Sequence, residues 1–138
     1  MDQVRHPPTP AAVIGTAIGS GVIGGGAAYL VWLLGVWLGV DPDVNVPGTG
    51  VAAMPAANFF VLALISASGA AGVARAMVRL PNPRRAFTAA AVVVLAVSML
   101  PLLAQPDEVT VATRLLLGAT HVVVYLAVVP TTKRLLPE

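Results

Sequence analysis

The chain has no cysteine among its 138 residues, which excludes disulfide scaffolds, thiolate-bound metals, iron–sulfur clusters and cysteine nucleophiles. Charge is nearly as scarce. Asp, Glu, Lys and Arg make up 10% of the chain, against about 25% in soluble domains. With 57% hydrophobic residues, the composition does not fit a water-soluble globule. The pI of 9.7 suggests a nucleic-acid binder until it is traced to a net charge of only +2. So small a charge supplies no basic patch, and nucleic acid is excluded as a partner. Two histidines and no cysteine leave a zinc site dependent on loop carboxylates, so neither a metal nor a cofactor is expected.

What the chain has instead is long uncharged stretches. Charged residues are absent from 7–40, 44–74, 86–106 and 115–132. A bilayer core of roughly 30 Å takes about 20 helical residues, and a backbone in lipid must satisfy its own hydrogen bonds. The expected fold is therefore all-α, a single transmembrane domain over 1–138 with spans near 11–40, 54–78, 86–105 and 110–130. Short connections make it an up-down-up-down four-helix bundle. Prolines fall at the breaks: Pro7, Pro8 and Pro10 before the first span, Pro42 and Pro47 after it, Pro55 in the first turn of the second, Pro81 and Pro83 at its end, and Pro106 after the third. Pro130 falls at the far end of the fourth. Each is a place where a missing N–H is tolerated or a helix stops.

Arg5, Arg75, Arg79, Arg84, Arg85, Lys133 and Arg134 fall on one side of this arrangement, while Asp41, Asp43, Asp107 and Glu108 fall on the other. The positive-inside rule makes the basic side cytoplasmic, with both termini there, in a multi-pass plasma-membrane protein. The apolar stretch after Arg5 is too long for the core of a signal peptide, so no cleavage is expected. A fully helical 7–40 would measure about 50 Å, which calls for a tilt or a kink, with Gly24-Gly25-Gly26 as the hinge. Tyr29, Trp32, Trp37, Phe59 and Phe60 read as interfacial or packing aromatics.

Two motifs fail on context. Gly19-Ser20-Gly21-Val22-Ile23-Gly24 matches G-x-G-x-x-G with Asp41 downstream, but a dinucleotide-binding unit needs a solvent-facing helix after the glycines, and no charge occurs there. Asp41-Pro42-Asp43-Val44-Asn45 begins like a calcium loop, yet Val46 and Ala52 replace its glycine and glutamate. The glycines read as helix-packing positions instead. Gly15 with Gly19, Gly21 with Gly25, and Gly35 with Gly39 are small-xxx-small pairs, and Gly118 leaves space on the fourth span. No carboxylate lies inside a span, which weighs against proton-coupled export.

His121 is the only ionisable side chain near mid-membrane, where a polar group must face the bundle interior. Its structural role would be inter-helix glue through one hydrogen bond. Arg114, Gly118, His121 and Tyr125 recur at helical spacing on one face. With Asn58 and Ser98 turned inward, they are expected to form a polar pocket in the outer half, capped by Asp41 or Asp107. Ser98, His121 and Asp107 also spell a hydrolase triad on paper, but no nucleophile-elbow turn surrounds Ser98, whose hydroxyl is expected to bond its own i−4 carbonyl.

The stretches Gly39-Val40-Asp41 with Val44, Pro83-Arg84-Arg85, Ser98 through Pro101-Leu102, and His121-Val122-Val123 followed by Pro130 together carry a resemblance. In this order they resemble a family of small four-helix membrane proteins from actinobacteria, a domain of unknown function. In that family a methionine often precedes the histidine and a glycine the proline; Thr120 and Leu100 stand there here. The resemblance implies a plasma-membrane bundle and draws attention to Asp41, Ser98 and His121, but it brings no activity.

Three functional readings follow, in order. The first is a non-catalytic structural or accessory protein of the membrane, partnered by the lipid bilayer and acting as a homo-oligomer or complex subunit through its glycine-rich first span. The second is binding or transport of an apolar or amphipathic ligand around His121 and Arg114, which requires a cavity of at least about 300 Å³ among spans two, three and four. The third is a membrane-embedded enzyme with His121 as acid or base and Arg114 as anion clamp.

Overall fold

The computed structural model describes residues 8–46 and 50–137; Arg5, Pro7 and Pro47 lie outside the described residues. Its elements are α1 (Pro10–Trp37), β1 (Asp43–Val46), β2 (Gly50–Ala53), α2 (Ala56–Met77), α3 (Pro83–Leu103) and α4 (Val111–Lys133). All four helices are long and apolar enough to cross a membrane.

The ends of the helices follow from local chemistry. At the start of α1, Thr9 accepts the Ala12 N–H at 3.2 Å, and Pro10 occupies the first position, where its absent N–H is harmless. Its C-terminus is a Schellman motif: Val40 donates to Gly35 and Gly39 to Val36, each at 3.0 Å, with Gly39 at φ +90. Gly39 thus ends the helix through its backbone and is not the packing residue that its spacing implied. No hinge interrupts Gly24-Gly25-Gly26; α1 runs through them as one 28-residue helix, about 42 Å long. The G-x-G-x-x-G match lies wholly inside this helix. α4 in turn continues past Pro130 to Lys133.

The connection over 41–53 is ordered beyond the expected loop. The Asp41 carboxylate accepts the Asp43 N–H at 3.0 Å, and an antiparallel hairpin follows in which Asp43 pairs with Ala53 and Asn45 with Val51. Val44, in the calcium-like stretch, is buried with Trp32 and Phe59.

Four hydrogen bonds fix the alternating directions of the helices. At one end, Arg75 of α2 donates to the Pro8 carbonyl, and Arg84 of α3 to that of Leu136 at 3.1 Å. At the other, Thr113 of α4 donates to the Asp41 carbonyl at 2.8 Å, and Gln105, beyond α3, accepts the Asn45 N–H at 3.0 Å. Since Thr113 spends its only hydroxyl hydrogen on Asp41, Thr110 is the donor in the 2.8 Å bond between the two threonines.

α1 and α2 meet through small residues. Ala63, Ala67, Ala71 and Ala74 are buried along α2, and on α1 an added Cβ at Gly21 would stand 2.8 Å from Leu64 and one at Gly25 2.9 Å from the Phe60 Cα. Backbones that approach this closely explain the glycines. Each end of the bundle is closed by a cluster: Trp32, Val44, Phe59 and Leu117 at the hairpin end, and Ala74, Val78, Phe87, Val129 and Leu136 at the opposite end. Trp32 and Phe59 pack ring to ring at 5.6 Å, whereas Trp37 is 80% exposed.

α3 is attached differently. Only Pro83 and Phe87 are buried, while Val92, Val93, Val94, Val97 and Leu100 stand exposed. An apolar surface of that extent belongs in lipid. The chain is a multi-pass membrane protein.

Candidate functional site

Because α3 is anchored at its first turn by Phe87 and near its last turn by Leu102, the bundle is packed at both ends and hollow between them. The hollow is a cavity of about 520 Å³ bounded mainly by α2, α3 and α4, with Phe87 at one end and Phe59 and Leu117 at the other. It opens sideways between α2 and α3, where the lining residues Leu62, Val73 and Val94 are exposed.

Four residues singled out from the sequence line this space: Asn58, Ser98, His121 and Tyr125. Two do not. The Arg114 guanidinium turns away to the carbonyls of Val109 at 3.1 Å and Pro106 at 3.0 Å, so it secures the α3–α4 turn. Asp41 is occupied at the mouth of the hairpin by its bonds to Asp43 and Thr113. The expected pocket therefore forms without its cation and without its acidic cap. Asp107 is exposed and outside the lining, so Ser98, His121 and Asp107 do not assemble as a triad.

The polar side chains of His121, Thr120 and Ser98 bond to carbonyls of their own helices. His121 Nδ1 lies 2.8 Å from the Leu117 carbonyl, which also accepts from the Thr120 hydroxyl at 2.7 Å. This replaces the inter-helix bond expected of His121. The Ser98 hydroxyl donates to the Leu95 carbonyl at 2.7 Å, three residues back rather than four. Asn58 donates one amide hydrogen to the Met54 sulfur at 3.4 Å.

Sequence reasoning missed Ser66, Gly69 and Thr120, which also line the cavity. Asn58, Leu62, Ser66, Gly69 and Val73 recur every three or four residues, one face of α2. Extending that face down from Asn58 would have found Ser66 and Gly69; Thr120 lies on α4 beside His121.

The remaining glycines divide by surroundings. A Cβ at Gly35 would strike Leu116, and one at Gly118 would rest in ordinary contact with Leu102 at 3.5 Å. Gly15 and Gly19 meet nothing within 4 Å. They lie on the exposed side of α1, away from the helix contacts made by Gly21 and Gly25.

A family model described as a family of unknown function (DUF6069) matches residues 8–138. No curated protein and no solved structure matches the chain.

Proposed function

We propose that this chain, which belongs to the DUF6069 family, binds an apolar or amphipathic small molecule in the cavity among α2, α3 and α4. The observation that carries this reading is the cavity itself. Its volume of about 520 Å³ lies within the roughly 300–1,000 Å³ of ligand pockets, and its lining is apolar with a few polar groups. Because the cavity opens toward the bilayer, an apolar or amphipathic molecule can reach it and gain contacts with its walls.

The protein is read as a plasma-membrane protein with both termini cytoplasmic, on the strength of its one-sided basic residues. Asn58, Ser98 and His121 then lie toward the outer face. Native mass spectrometry of protein extracted from its own membranes is expected to reveal a retained small molecule, present in smaller amount in a folded His121→Phe variant. Equal retention in the variant, or no retained molecule in the wild type, overturns the proposal.

A second reading, an accessory role as a homo-oligomer or complex subunit, is favoured by Gly15 and Gly19, which present a close-approach surface that the bundle itself leaves uncovered. Its test is the mass of the Gly15→Leu/Gly19→Leu variant in detergent. A wild type already monomeric removes the homo-oligomer.

A further inference from the structure

The hydrogen-bonding inventory of the cavity goes further and selects the head group of its occupant; this step rests on reading the cavity as a ligand site. A carbonyl oxygen only accepts, so His121 Nδ1, held 2.8 Å from the Leu117 carbonyl, carries the ring hydrogen. In the neutral imidazole Nε2 is then a lone pair without a hydrogen bond among the described residues, on a side chain that lines the cavity. Ser98 and Thr120 commit their hydroxyl hydrogens to the carbonyls of Leu95 and Leu117, which leaves only acceptor capacity. The hydroxyls of Ser66 and Tyr125 can turn either way, and Asn58, with one amide hydrogen on the Met54 sulfur, keeps a second hydrogen and its carbonyl oxygen.

Charge is absent on both sides of the ledger. Among the described residues no lysine, arginine, aspartate or glutamate lines the cavity, and Arg114 is held at the turn by two carbonyls. A carboxylate or phosphate would lie there unpaired, and so would an organic cation; both are costly out of water. Asn58 and Ser98 lie toward the hairpin end and Thr120 and His121 near the middle of α4, whereas Tyr125 packs with Phe87 and Val129 at the opposite end, which Val73 and Ala91 also bound. From Ser98 to Phe87 is ~16 Å along the α3 axis, room for an extended hydrocarbon tail.

We propose that the cavity selects an uncharged amphiphile whose head group is a hydrogen-bond donor, an alcohol or N–H, received by His121 Nε2 beside Ser98, with its apolar tail directed toward Phe87. The ligand enters from the bilayer through the gap between α2 and α3.

The test uses full-length His6→Gln protein in phosphatidylcholine nanodiscs, with ¹⁵N-histidine to read His121 and labelled Leu117 and Val124 methyls to read occupancy. The probes are 1-dodecanol, dodecane and dodecanoate. The free protein is expected to carry its ring hydrogen on Nδ1. Dodecanol should move the Nε2 resonance and bind about tenfold more tightly than dodecane, the worth of one hydrogen bond, with dodecanoate weaker still. In His121→Phe the alcohol's advantage over the alkane should vanish while both still move the methyls.

A hydrogen found on Nε2, or equal binding of alcohol and alkane, overturns the head-group assignment and leaves the cavity as a hydrocarbon site. Preference for dodecanoate overturns it in favour of an anion. If none of the three probes moves the methyls, the cavity reading itself falls.

Discussion

Gly69 lines the cavity from the middle of α2, and a Cβ built there meets nothing within 4 Å. Replacing it by leucine places four carbons in open space. Two terms favour the folded state. Leucine exceeds glycine in helix propensity by about 0.8 kcal/mol. Each ~40 Å³ of void filled returns about 1 kcal/mol at the cavity coefficient, through contacts regained by its walls. The ligand-free Gly69→Leu protein should therefore be more stable by about 1–2 kcal/mol, a factor of roughly 5–30 in the folding equilibrium. Binding should move the opposite way and weaken at least tenfold, since the same space cannot be occupied twice. Reversible unfolding by denaturing detergent in mixed micelles gives the first quantity, and displacement of the retained small molecule gives the second. A destabilised variant would mean that the space at Gly69 is closed. A stabilised variant with full binding would mean that the ligand sits elsewhere.

Gly25→Ala should act with the opposite sign on stability, because its Cβ would stand 2.9 Å from the Phe60 Cα, a backbone atom that cannot swing aside. A loss of about 1–3 kcal/mol is expected, measured beside Gly15→Ala, whose Cβ has open space and which should lose nothing. Arg114→Met should cost about 1 kcal/mol by stripping the Val109 carbonyl of its partner, since the Pro106 carbonyl keeps the Val109 N–H at 2.9 Å, yet leave ligand retention unchanged; lost retention in the folded variant would restore Arg114 to the site. Thr132 is fully buried and its hydroxyl has no partner among the described residues, so Thr132→Val should stabilise the protein by about 1–2 kcal/mol in the same unfolding assay.

Much of the bundle was legible because lipid imposes simple rules. Uncharged runs long enough to span, with proline and charge between them, located all four helices to within a few residues. Asn58, Ser98, His121 and Tyr125 were found because polar residues in an apolar run must turn inward, and they line one cavity. Arg114 shared their helical face, but periodicity carries no information about a carbonyl in the preceding turn, and a long side chain follows the nearest unsatisfied acceptors. The hairpin was missed because its strands are four residues each, too short for alternation to register. Of the spaced glycines, Gly21 and Gly25 meet α2 closely while Gly15 and Gly19 meet nothing within 4 Å among the described residues; which glycine is approached depends on helix rotation, and the sequence does not encode that directly. The stand-off of α3 has no sequence signature, since a helix equally apolar on every face reads the same whether packed or splayed.

The sideways mouth between α2 and α3 determines what concentration means for this protein. A solute that enters from the hydrocarbon is counted as its mole fraction among phospholipids, and the buffer matters only through partitioning. Below saturation, doubling the lipid at fixed total solute would roughly halve occupancy with no change in the protein, so affinities expressed per litre would drift from one preparation to the next. Expressed per lipid, they would coincide.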